Sequence, residues 1–311
     1  HQGETSACAR VLIKAGVRRV VVGCVDPYPP VHGRGVRILR EGGILVSVGM
    51  METECRRLNE GFITRVTRGR PFVILKLAAS LDGRIAASGG DSKWVSSPES
   101  RALVHRWRRE CDAVLTGAGT IIADDPRLTC RIPGGRDPLR IIVDSRLRSP
   151  ADARVFRQRS PALTLLVTSR ANLERARRRY ASPRVEAMAV SGRGDELALD
   201  ELMYEMGKRK LNRVLIEGGA HTAGSALRYG IVDRIAMFIA PRIVGAGLPA
   251  IEGLATGRMR DALALDGLET SQVGEDLLVQ AIVRRTTRAR RGGPNRAAPV
   301  KKAGLEKQPA R

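Results

Sequence analysis

The segment Val214–Leu227, with the sequence VLIEGGAHTAGSAL, decides how this chain folds. A short apolar run meets one acidic residue and two glycines before a helical pattern begins, which predicts a buried strand that turns directly into a helix. The free N–H groups of a first helical turn, the helix dipole and close backbone approach at glycine together suit a phosphate or pyrophosphate. Glu217, at the end of the strand, would lie beside such a ligand. A Gly-Gly turn is also common turn chemistry, so the prediction depends on the rest of the chain.

The composition is that of an α/β protein, and the length allows two domains or one large domain with an appendage. The chain has 311 residues, of which 43% are hydrophobic and only 3% aromatic, so the core must rest on Val, Leu, Ile and Ala. No apolar run approaches the roughly 20 residues of a membrane span, and no signal peptide opens the chain; we therefore expect a cytoplasmic protein without a membrane partner. Five widely spaced cysteines lack any Cys-x-x-Cys pair, which argues against both a disulfide framework and a self-contained zinc site.

The net charge is +22, and its excess is concentrated at the end of the chain. Between Arg284 and Arg311 there are ten Lys or Arg and one Glu, with almost no apolar periodicity. We expect residues 285–311 to form a basic, disordered tail. Such a tail is either a solvated extension or an arm that contacts polyanions through salt-sensitive charge interactions, and neither requires a specific nucleic-acid site.

Apolar segments alternate between strand and helix patterns, which predicts a mostly parallel sheet flanked by helices, with a late antiparallel strand. A basic segment marked by Gly and Pro, RGRP at 68–71, indicates a domain boundary. We expect a partial α/β unit with a bridging helix in residues 1–69 and a second domain in residues 70–284. Ser97 and Pro98 predict a helix start. The predicted strands are 18–25, 43–48, 72–79, 113–118, 139–144, 163–168, 185–190, 213–217, 235–240 and 277–283, and the predicted helices are 6–16, 33–40, 52–67, 97–110, 171–180, 197–209 and 220–229.

Three loops, at 80–94, 117–131 and 217–224, would gather at the carboxyl ends of strands, where open α/β sheets bind ligands. None contains a complete Gly-x-Gly-x-x-Gly fingerprint, and we expect residues 119–129 to be an irregular loop. The four histidines lie in unlike contexts, so no Ser-His-Asp arrangement can be built. Small residues, hydroxyls and a few charges suit phosphorylated ligands; the charged candidates are Arg108, Asp124, Arg131 and Glu217.

Four motifs occur in a fixed order along the chain: LKLAASLDGR at 75–84, SKW at 92–94, GTIIADDP at 119–126 and EGG at 217–219. Together they resemble the reductase domain of the bacterial bifunctional riboflavin-biosynthesis deaminase/reductase family, and the similarity extends over residues 1–284. Each motif is loose by itself, but an ordered set of four is a specific signal.

The resemblance implies a dihydrofolate-reductase-like fold, a homodimer, and reduction by NADPH of the ribosyl group of 5-amino-6-(5-phosphoribosylamino)uracil to ribityl. It implies catalytic roles for Asp124 and Glu217, whose carboxylates can orient sugar hydroxyls or supply a proton. Arginines can fork onto the phosphate ester of this phosphorylated pyrimidine. The substrate residues that it implies are Ser92, Arg108, Leu128, Arg131 and Glu217. The cofactor residues that it implies are Ala78, Trp94, Thr120, Asp124 and Ser145, with the phosphates along Gly219, Ala220, His221, Thr222, Ala223, Gly224 and Ser225.

The first unit resembles the second half of a cytidine-deaminase-like domain. In the family a cysteine zinc ligand ends the pattern His-x-Gly-Arg-Thr-Pro-Pro-Cys, and here HQGETSAC at 1–8 retains only that ligand, Cys8. A catalytic zinc needs three protein ligands and an acid/base residue. Zinc is therefore expected only in a complete deaminase domain, and we expect this chain to hold no metal and to lack deaminase activity.

Two other functions remain open at this point. The body of the protein could be catalytically idle while the basic tail binds polyanions, which a truncation at Val283 would reveal. A reductase of the same fold could instead act on a pterin-like substrate, because a fold does not fix a substrate. The sequence also leaves open whether NADPH is preferred to NADH, since no arginine can be assigned to a 2′-phosphate, and which residue delivers the proton.

Overall fold

The computed structural model describes residues 8–28, 31–193 and 196–284. The first seven residues of the deaminase-like pattern and the tail at 285–311 lie outside the described residues. Ala9, Leu39 and Ile44 form a small buried core between two parallel strands and two helices. The elements up to residue 68 are α1 (Cys8–Lys14), β1 (Arg19–Val22), α2 (Arg34–Glu41), β2 (Leu45–Val48), α3 (Glu52–Leu58) and α4 (Glu60–Arg68).

The prediction of one helix over 52–67 is wrong, because two helices meet at Asn59. The Asn59 amide Nδ2 donates to the carbonyl of Cys55 at 2.9 Å, and the backbone departs from helical geometry there (φ −101°, ψ 10°). An asparagine side chain competes with the helix for backbone partners in this way.

The remaining chain alternates strands and helices, and each of its eight predicted strands is confirmed to within one residue at either end. The strands are β3 (Phe72–Ser80), β4 (Arg84–Ala87), β5 (Ala113–Gly117), β6 (Leu139–Val143), β7 (Thr164–Ser169), β8 (Val185–Val190), β9 (Gly192–Arg193), β10 (Glu196–Leu197), β11 (Arg213–Glu217), β12 (Arg234–Ala240), β13 (Gly247–Pro249), β14 (Leu265–Val273) and β15 (Asp276–Val283). The helices are α5 (Pro98–Glu110), α6 (Ala118–Asp124), α7 (Arg154–Arg157), α8 (Leu173–Arg179), α9 (Leu199–Lys208) and α10 (Ala220–Arg228).

Nine strands form the main sheet in the order β14-β15-β12-β3-β11-β5-β6-β7-β8. From β12 to β8 all neighbours are parallel, while β15 and β14 are antiparallel. The expected α/β fold, with a mostly parallel sheet flanked by helices, is confirmed. The sequence predicts only one antiparallel strand; β14 was missed because most of its positions are exposed and carry no alternating apolar pattern.

The predicted helix start at Ser97 is confirmed. Its Oγ accepts from the backbone N–H of Ser100 at 3.2 Å, and Pro98 follows at the first helical position. The irregular loop predicted over 119–129 is wrong in its first half, because α6 begins at Ala118, directly after β5. Ile121 is buried on the inner face of this helix and packs into the core.

The carboxylate of Asp233 forms hydrogen bonds that connect three elements at the start of the sheet. It is 4% exposed, and its carboxylate accepts from Arg68 at 2.8 Å, from Arg70 at 2.7 and 2.9 Å and from the backbone N–H of Val73 at 2.9 Å. The end of α4, the first residues of β3 and the entry to β12 are thereby fixed to one another. Charge-assisted hydrogen bonds of this kind are among the stronger polar interactions in proteins.

We predict that Asp233→Ala lowers the free energy of unfolding by about 3–5 kcal/mol, because two arginines and a buried N–H lose their acceptor. Urea denaturation measures the change. Asp266→Ala is the matched control, since Asp266 pairs with Arg284 at the surface and such pairs contribute little. Equal stabilities of the two variants would contradict the role of Asp233.

Candidate active site

A cavity of about 1590 Å³ opens at the carboxyl ends of the central strands. Its walls come from the ends of β3, β11, β5 and β6, from the starts of α6 and α10, and from the inner side of α5. Sites for a single small ligand usually measure about 300–1,000 Å³. The cavity therefore has room for two ligands side by side.

The structure brings nearly all of the residues predicted for the site to this cavity. Ala223 and Gly224 are the exceptions, because they lie on the face of α10 that packs into the protein. A Cβ at Gly224 would collide with the backbone carbonyl of Glu252, so this glycine serves helix packing. The predicted residues that line the cavity are Ala78, Ser92, Trp94, Arg108, Thr120, Asp124, Leu128, Arg131, Ser145, Glu217, Gly219, Ala220, His221, Thr222 and Ser225.

The strand-to-helix turns at the ends of β11 and β5 lie against each other. The N–H of Gly219 donates to Thr120 Oγ1 at 3.1 Å, and Gly117 approaches Thr222 so closely that a Cβ would strike its hydroxyl. The first turn of α10 contains no acidic residue, and no side chain caps it. Its free N–H groups and positive dipole end therefore face the cavity, and the residues present fit the pyrophosphate of a dinucleotide.

A buried ion pair lies beside this turn, since Glu217 is the last residue of β11. Arg108 Nε and Nη2 donate to the two oxygens of Glu217 at 2.6 and 2.7 Å, and Nη1 donates to the carbonyl of Thr129 at 3.1 Å. The two side chains are only 13% and 12% exposed. Three of the five N–H donors of Arg108 are thus engaged within the protein, and its charge is paired with Glu217.

Lys76 joins this pair from the neighbouring strand. It is in parallel register with Glu217, and its ammonium also lies 5.8 Å from the centre of the Phe238 ring. The sequence analysis assigned no role to Lys76. A lone lysine inside the apolar run FVILKLAA could have indicated a functional residue, because a lysine is rarely buried without a partner.

The charges in this cluster shift one another's pKa values. Burial would raise the pKa of Glu217, but the charge and hydrogen bonds of Arg108, with Lys76, outweigh it and hold that pKa below its usual value. Burial lowers the pKa of Lys76, against the opposing effect of Glu217. Burial and the nearby Arg108 and Arg131 also lower the pKa of His105. At neutral pH Glu217 is a carboxylate, and His105 is neutral.

The remaining polar candidates lie on the cavity rim. Ser92 Oγ is 3.4 Å from Asp124 Oδ1, at the end of α6. Trp94 is 62% exposed, and the guanidinium of Arg101 lies 4.5 Å from its ring centre. An exposed aromatic ring at the mouth of a cavity offers a flat surface for a planar ligand.

Comparisons with known proteins agree on one family. Residues 71–279 match the RibD C-terminal domain. The riboflavin biosynthesis protein RibD of Aquifex aeolicus is 39% identical over 280 residues, which are 90% of this chain and 76% of that protein. RibD of Escherichia coli is 35% identical, over 91% of this chain and 79% of its own length. The chain thus spans about three quarters of the length of these relatives.

Solved structures lead to the same family. Acinetobacter baumannii RibD superposes with a TM-score of 0.80 at 33% identity, covering 92% of this chain and 78% of that one. The diaminohydroxyphosphoribosylaminopyrimidine deaminase/5-amino-6-(5-phosphoribosylamino)uracil reductase of Thermotoga maritima gives a TM-score of 0.79 at 35% identity, over 91% and 76% of the two chains.

We predict that Arg108→Met raises the pKa of Glu217 and lowers the free energy of unfolding at pH 7 by about 3–5 kcal/mol, because a buried carboxylate loses its partner. In the wild type, this contribution is present above the ordinary glutamate pKa of about 4.3 and is lost as the pH falls through the lowered folded value. The difference between the two proteins should therefore narrow as the pH falls, first through the raised Glu217 pKa of the variant and then through the lowered Glu217 pKa of the wild type. Urea denaturation across pH measures it.

The control for that experiment is Arg131→Met, which removes an exposed arginine from the same cavity. Its free energy of unfolding should stay within about 0.5 kcal/mol of the wild type. A constant difference between Arg108→Met and the wild type at all pH values would contradict the ionised pair.

Proposed function

This chain belongs to the RibD family, and from that membership we propose that it reduces the ribosyl group of 5-amino-6-(5-phosphoribosylamino)uracil to ribityl with NADPH. It is a reductase of riboflavin biosynthesis, as the match over residues 71–279 and the relatives establish. The Thermotoga maritima relative is named for this uracil substrate. The comparisons give no support to a polyanion-binding protein or to a pterin-like substrate.

The observation that carries the proposal is that one cavity joins the uncapped start of α10 to a cluster of charged residues. The first turn of α10 supplies free N–H groups, and Lys76, Arg108 and Glu217 line the same cavity from β3, α5 and the end of β11. Hydride transfer requires cofactor and substrate to lie in contact and away from water. A space of about 1590 Å³ accommodates both.

The dinucleotide would be held by the cavity wall around β11 and β5. In this proposal Gly219, Ala220, His221 and Thr222 surround the pyrophosphate, while Ala78, Trp94, Thr120 and Ser145 contact the two nucleotide halves. When bound, the reduced nicotinamide supplies a hydride. The residues of the chain hold the dinucleotide in place and exclude water from the site.

The substrate phosphate is best matched by Arg131. Among the residues that the structure describes, no carboxylate pairs with this exposed arginine, whereas the charge of Arg108 is paired with Glu217. We therefore assign Arg108 the role of positioning Glu217, whose carboxylate can accept hydrogen bonds from sugar hydroxyls. Ser92, Asp124 and Leu128 complete the substrate wall in this proposal.

The proton of the reaction is best supplied by Lys76. Opening the ribosyl ring and adding a hydride to its anomeric carbon consumes one proton from the protein or solvent. Glu217 cannot donate it at neutral pH, because Arg108 keeps it ionised. Burial lowers the pKa of Lys76, which makes its ammonium a better acid than an exposed lysine.

The direct test of the proposed function is the loss of NADPH absorbance when the deaminated ribosylaminopyrimidine is added to the protein. We expect turnover that depends on both ligands, with a ribityl product identified by mass spectrometry. A folded protein that binds NADPH but shows no turnover with this substrate would overturn the proposal.

Glu217→Gln and Gly219→Val should separate the two halves of the site. The glutamine removes a charge from the substrate wall, so we expect a lower kcat with NADPH affinity retained. The valine projects into the phosphate turn, so we expect weaker NADPH binding. Fluorescence titration of NADPH and steady-state kinetics distinguish them, and if both substitutions lowered only NADPH affinity, the role of Glu217 would be wrong.

The pH dependence of kcat tests Lys76. In the wild type, kcat should fall as the pH rises through the Lys76 pKa, which lies below the ordinary value of about 10.4, because only the ammonium can donate. Lys76→Met should lower kcat by about 10²- to 10⁴-fold and abolish this descending limb. Lys93→Met is the control, since it removes an exposed ammonium from the same cavity and should retain the limb.

The homodimer, the cytoplasmic location and the domain boundaries at residues 69 and 284 stay predictions. Along the part of the chain that is described, no helix is long and apolar enough to cross a membrane.

A further inference from the structure

An irregular segment, residues 127–131, follows α6 and forms part of the cavity wall. Two of its residues, Leu128 and Arg131, belong to the substrate side of the proposed site. The segment also contacts the charged cluster directly, because Arg108 Nη1 donates to the carbonyl of Thr129 at 3.1 Å. The position of its backbone therefore affects both arginines of the substrate wall.

The chain turns back on itself directly after this segment. The backbone N–H of Gly135 donates to the carbonyl of Ile132 at 2.9 Å, and Gly134 has a left-handed backbone (φ 69°), which glycine adopts without strain. A Cβ at Gly135 would strike the sulfur of Cys130, so the returning chain passes close to the segment. The turn brings Asp137 against Cys130, seven positions earlier in the chain.

Asp137 connects the segment to the interior of the protein. Its Oδ1 accepts from the backbone N–H of Cys130 at 2.9 Å, and its Oδ2 accepts from Ser160 Oγ at 2.7 Å. The Ser160 oxygen in turn accepts from Arg140 Nη1 at 3.0 Å, and Arg140 is only 1% exposed. One carboxylate thus joins the backbone of the segment to a buried guanidinium.

Arg140 is held in place by the chain around the start of β7. Its Nε donates to Thr164 Oγ1 at 2.9 Å, and its Nη2 donates to the carbonyl of Ala162 at 2.6 Å. Burial lowers the pKa of Arg140, and the negative charge of Asp137 opposes that shift. Asp137 is therefore both an acceptor for the segment and a charge that compensates the buried arginine.

A second N–H group of the segment has a longer contact. The backbone N–H of Arg131 lies 3.4 Å from His105 Nδ1, compared with 2.9 Å between Cys130 and Asp137. A hydrogen bond to a carboxylate is also stronger than one to a neutral ring. Of these two acceptors, Asp137 therefore contributes more to holding the segment.

We infer that Asp137 is a positioning residue for substrate binding, because its carboxylate holds the N–H of Cys130 and thereby fixes the segment that carries Arg131. The inference rests on the proposed function, which assigns the substrate phosphate to Arg131, and it deepens that function. Asp137 is not part of the cavity lining, so it acts through the backbone of the segment. A displacement of about 1 Å in a positioned group can cost on the order of 100-fold in rate.

Three variants separate positioning from stability. Asp137→Ala removes both the acceptor for Cys130 and the charge near the buried guanidinium. Asp137→Asn removes the same charge but keeps an oxygen that can accept from Cys130. Asp112→Ala is the matched control, because Asp112 Oδ2 accepts from the backbone N–H groups of Asn212 at 2.6 Å and of Arg213 at 3.0 Å, and Asp112 lies outside the cavity lining.

The first readout is steady-state kinetics with 5-amino-6-(5-phosphoribosylamino)uracil, together with calorimetric titration of NADPH. In Asp137→Ala we expect the substrate KM to rise about tenfold or more, because the segment loses a charge-assisted hydrogen bond. The affinity for NADPH should be unchanged, since the proposed pyrophosphate site lies at the start of α10. Asp137→Asn and Asp112→Ala should keep the substrate KM close to that of the wild type.

The second readout is amide hydrogen exchange of the peptide that contains Cys130, which requires no turnover. We expect exchange about tenfold faster in Asp137→Ala than in the wild type, Asp137→Asn or Asp112→Ala. If Asp137→Ala does not fold, the double variant Asp137→Ala/Arg140→Met replaces it, because no buried charge is then left uncompensated.

Two results would overturn the inference and leave the proposed function standing. One is a substrate KM that rises equally in Asp137→Ala and in Asp137→Asn or Asp112→Ala, since the acceptor for Cys130 would then not be what matters. The other is an unchanged KM or unchanged exchange in Asp137→Ala. A wild type that does not reduce the substrate would overturn the proposed function and with it the role in substrate binding, whereas the exchange rates would still show whether Asp137 holds the segment.

Discussion

The position of β11 between β3 and β5 is the constraint on which the rest of this structure depends. After β3, the strands β5 to β8 follow one another toward one edge of the sheet. The later strand β11 lies between β3 and β5, and β12 pairs with the other side of β3. Ligands of open α/β sheets bind where the strand order reverses in this way. The late strand brings Glu217 into register with Lys76, and it places the start of α10 against the turn that begins α6.

The buried pair of Arg108 and Glu217 determines what chemistry this point can support. Burying two charges costs about as much as their attraction returns, so the pair is not primarily a source of stability. Its consequence is electrostatic: Glu217 stays ionised, and the charge of Arg108 is paired with it. For this reason the proposed function assigns the proton to Lys76, whose pKa is lowered by burial. The proposed function assigns the substrate phosphate to Arg131 and the cofactor pyrophosphate to the backbone N–H groups at the start of α10.

The sequence predicts the framework well because the signals for it are local. Buried strands are marked by apolar runs, Ser97 and Pro98 mark a helix start, and four ordered motifs identify the family, which the comparisons confirm. Contacts between residues that are distant in the sequence were not predictable. Arg108 and Glu217 are 109 positions apart, and the sequence around each of them does not identify the other as its partner. Lys76 lies in the motif LKLAASLDGR, but the sequence around it likewise does not identify Glu217 as its partner. The break at Asn59 and the exposed strand β14 lack a periodic signal altogether.

In the proposed function, one cavity holds the nicotinamide and the ribosyl group in contact, so that the hydride passes directly between them. The most direct measurement uses NADPH that carries deuterium at the transferable position, in ordinary water, with mass and NMR spectra of the product. Direct transfer predicts one deuterium per molecule, on the ribityl carbon that was the anomeric carbon of the ribosyl group. A reduced product without deuterium at that carbon would contradict it.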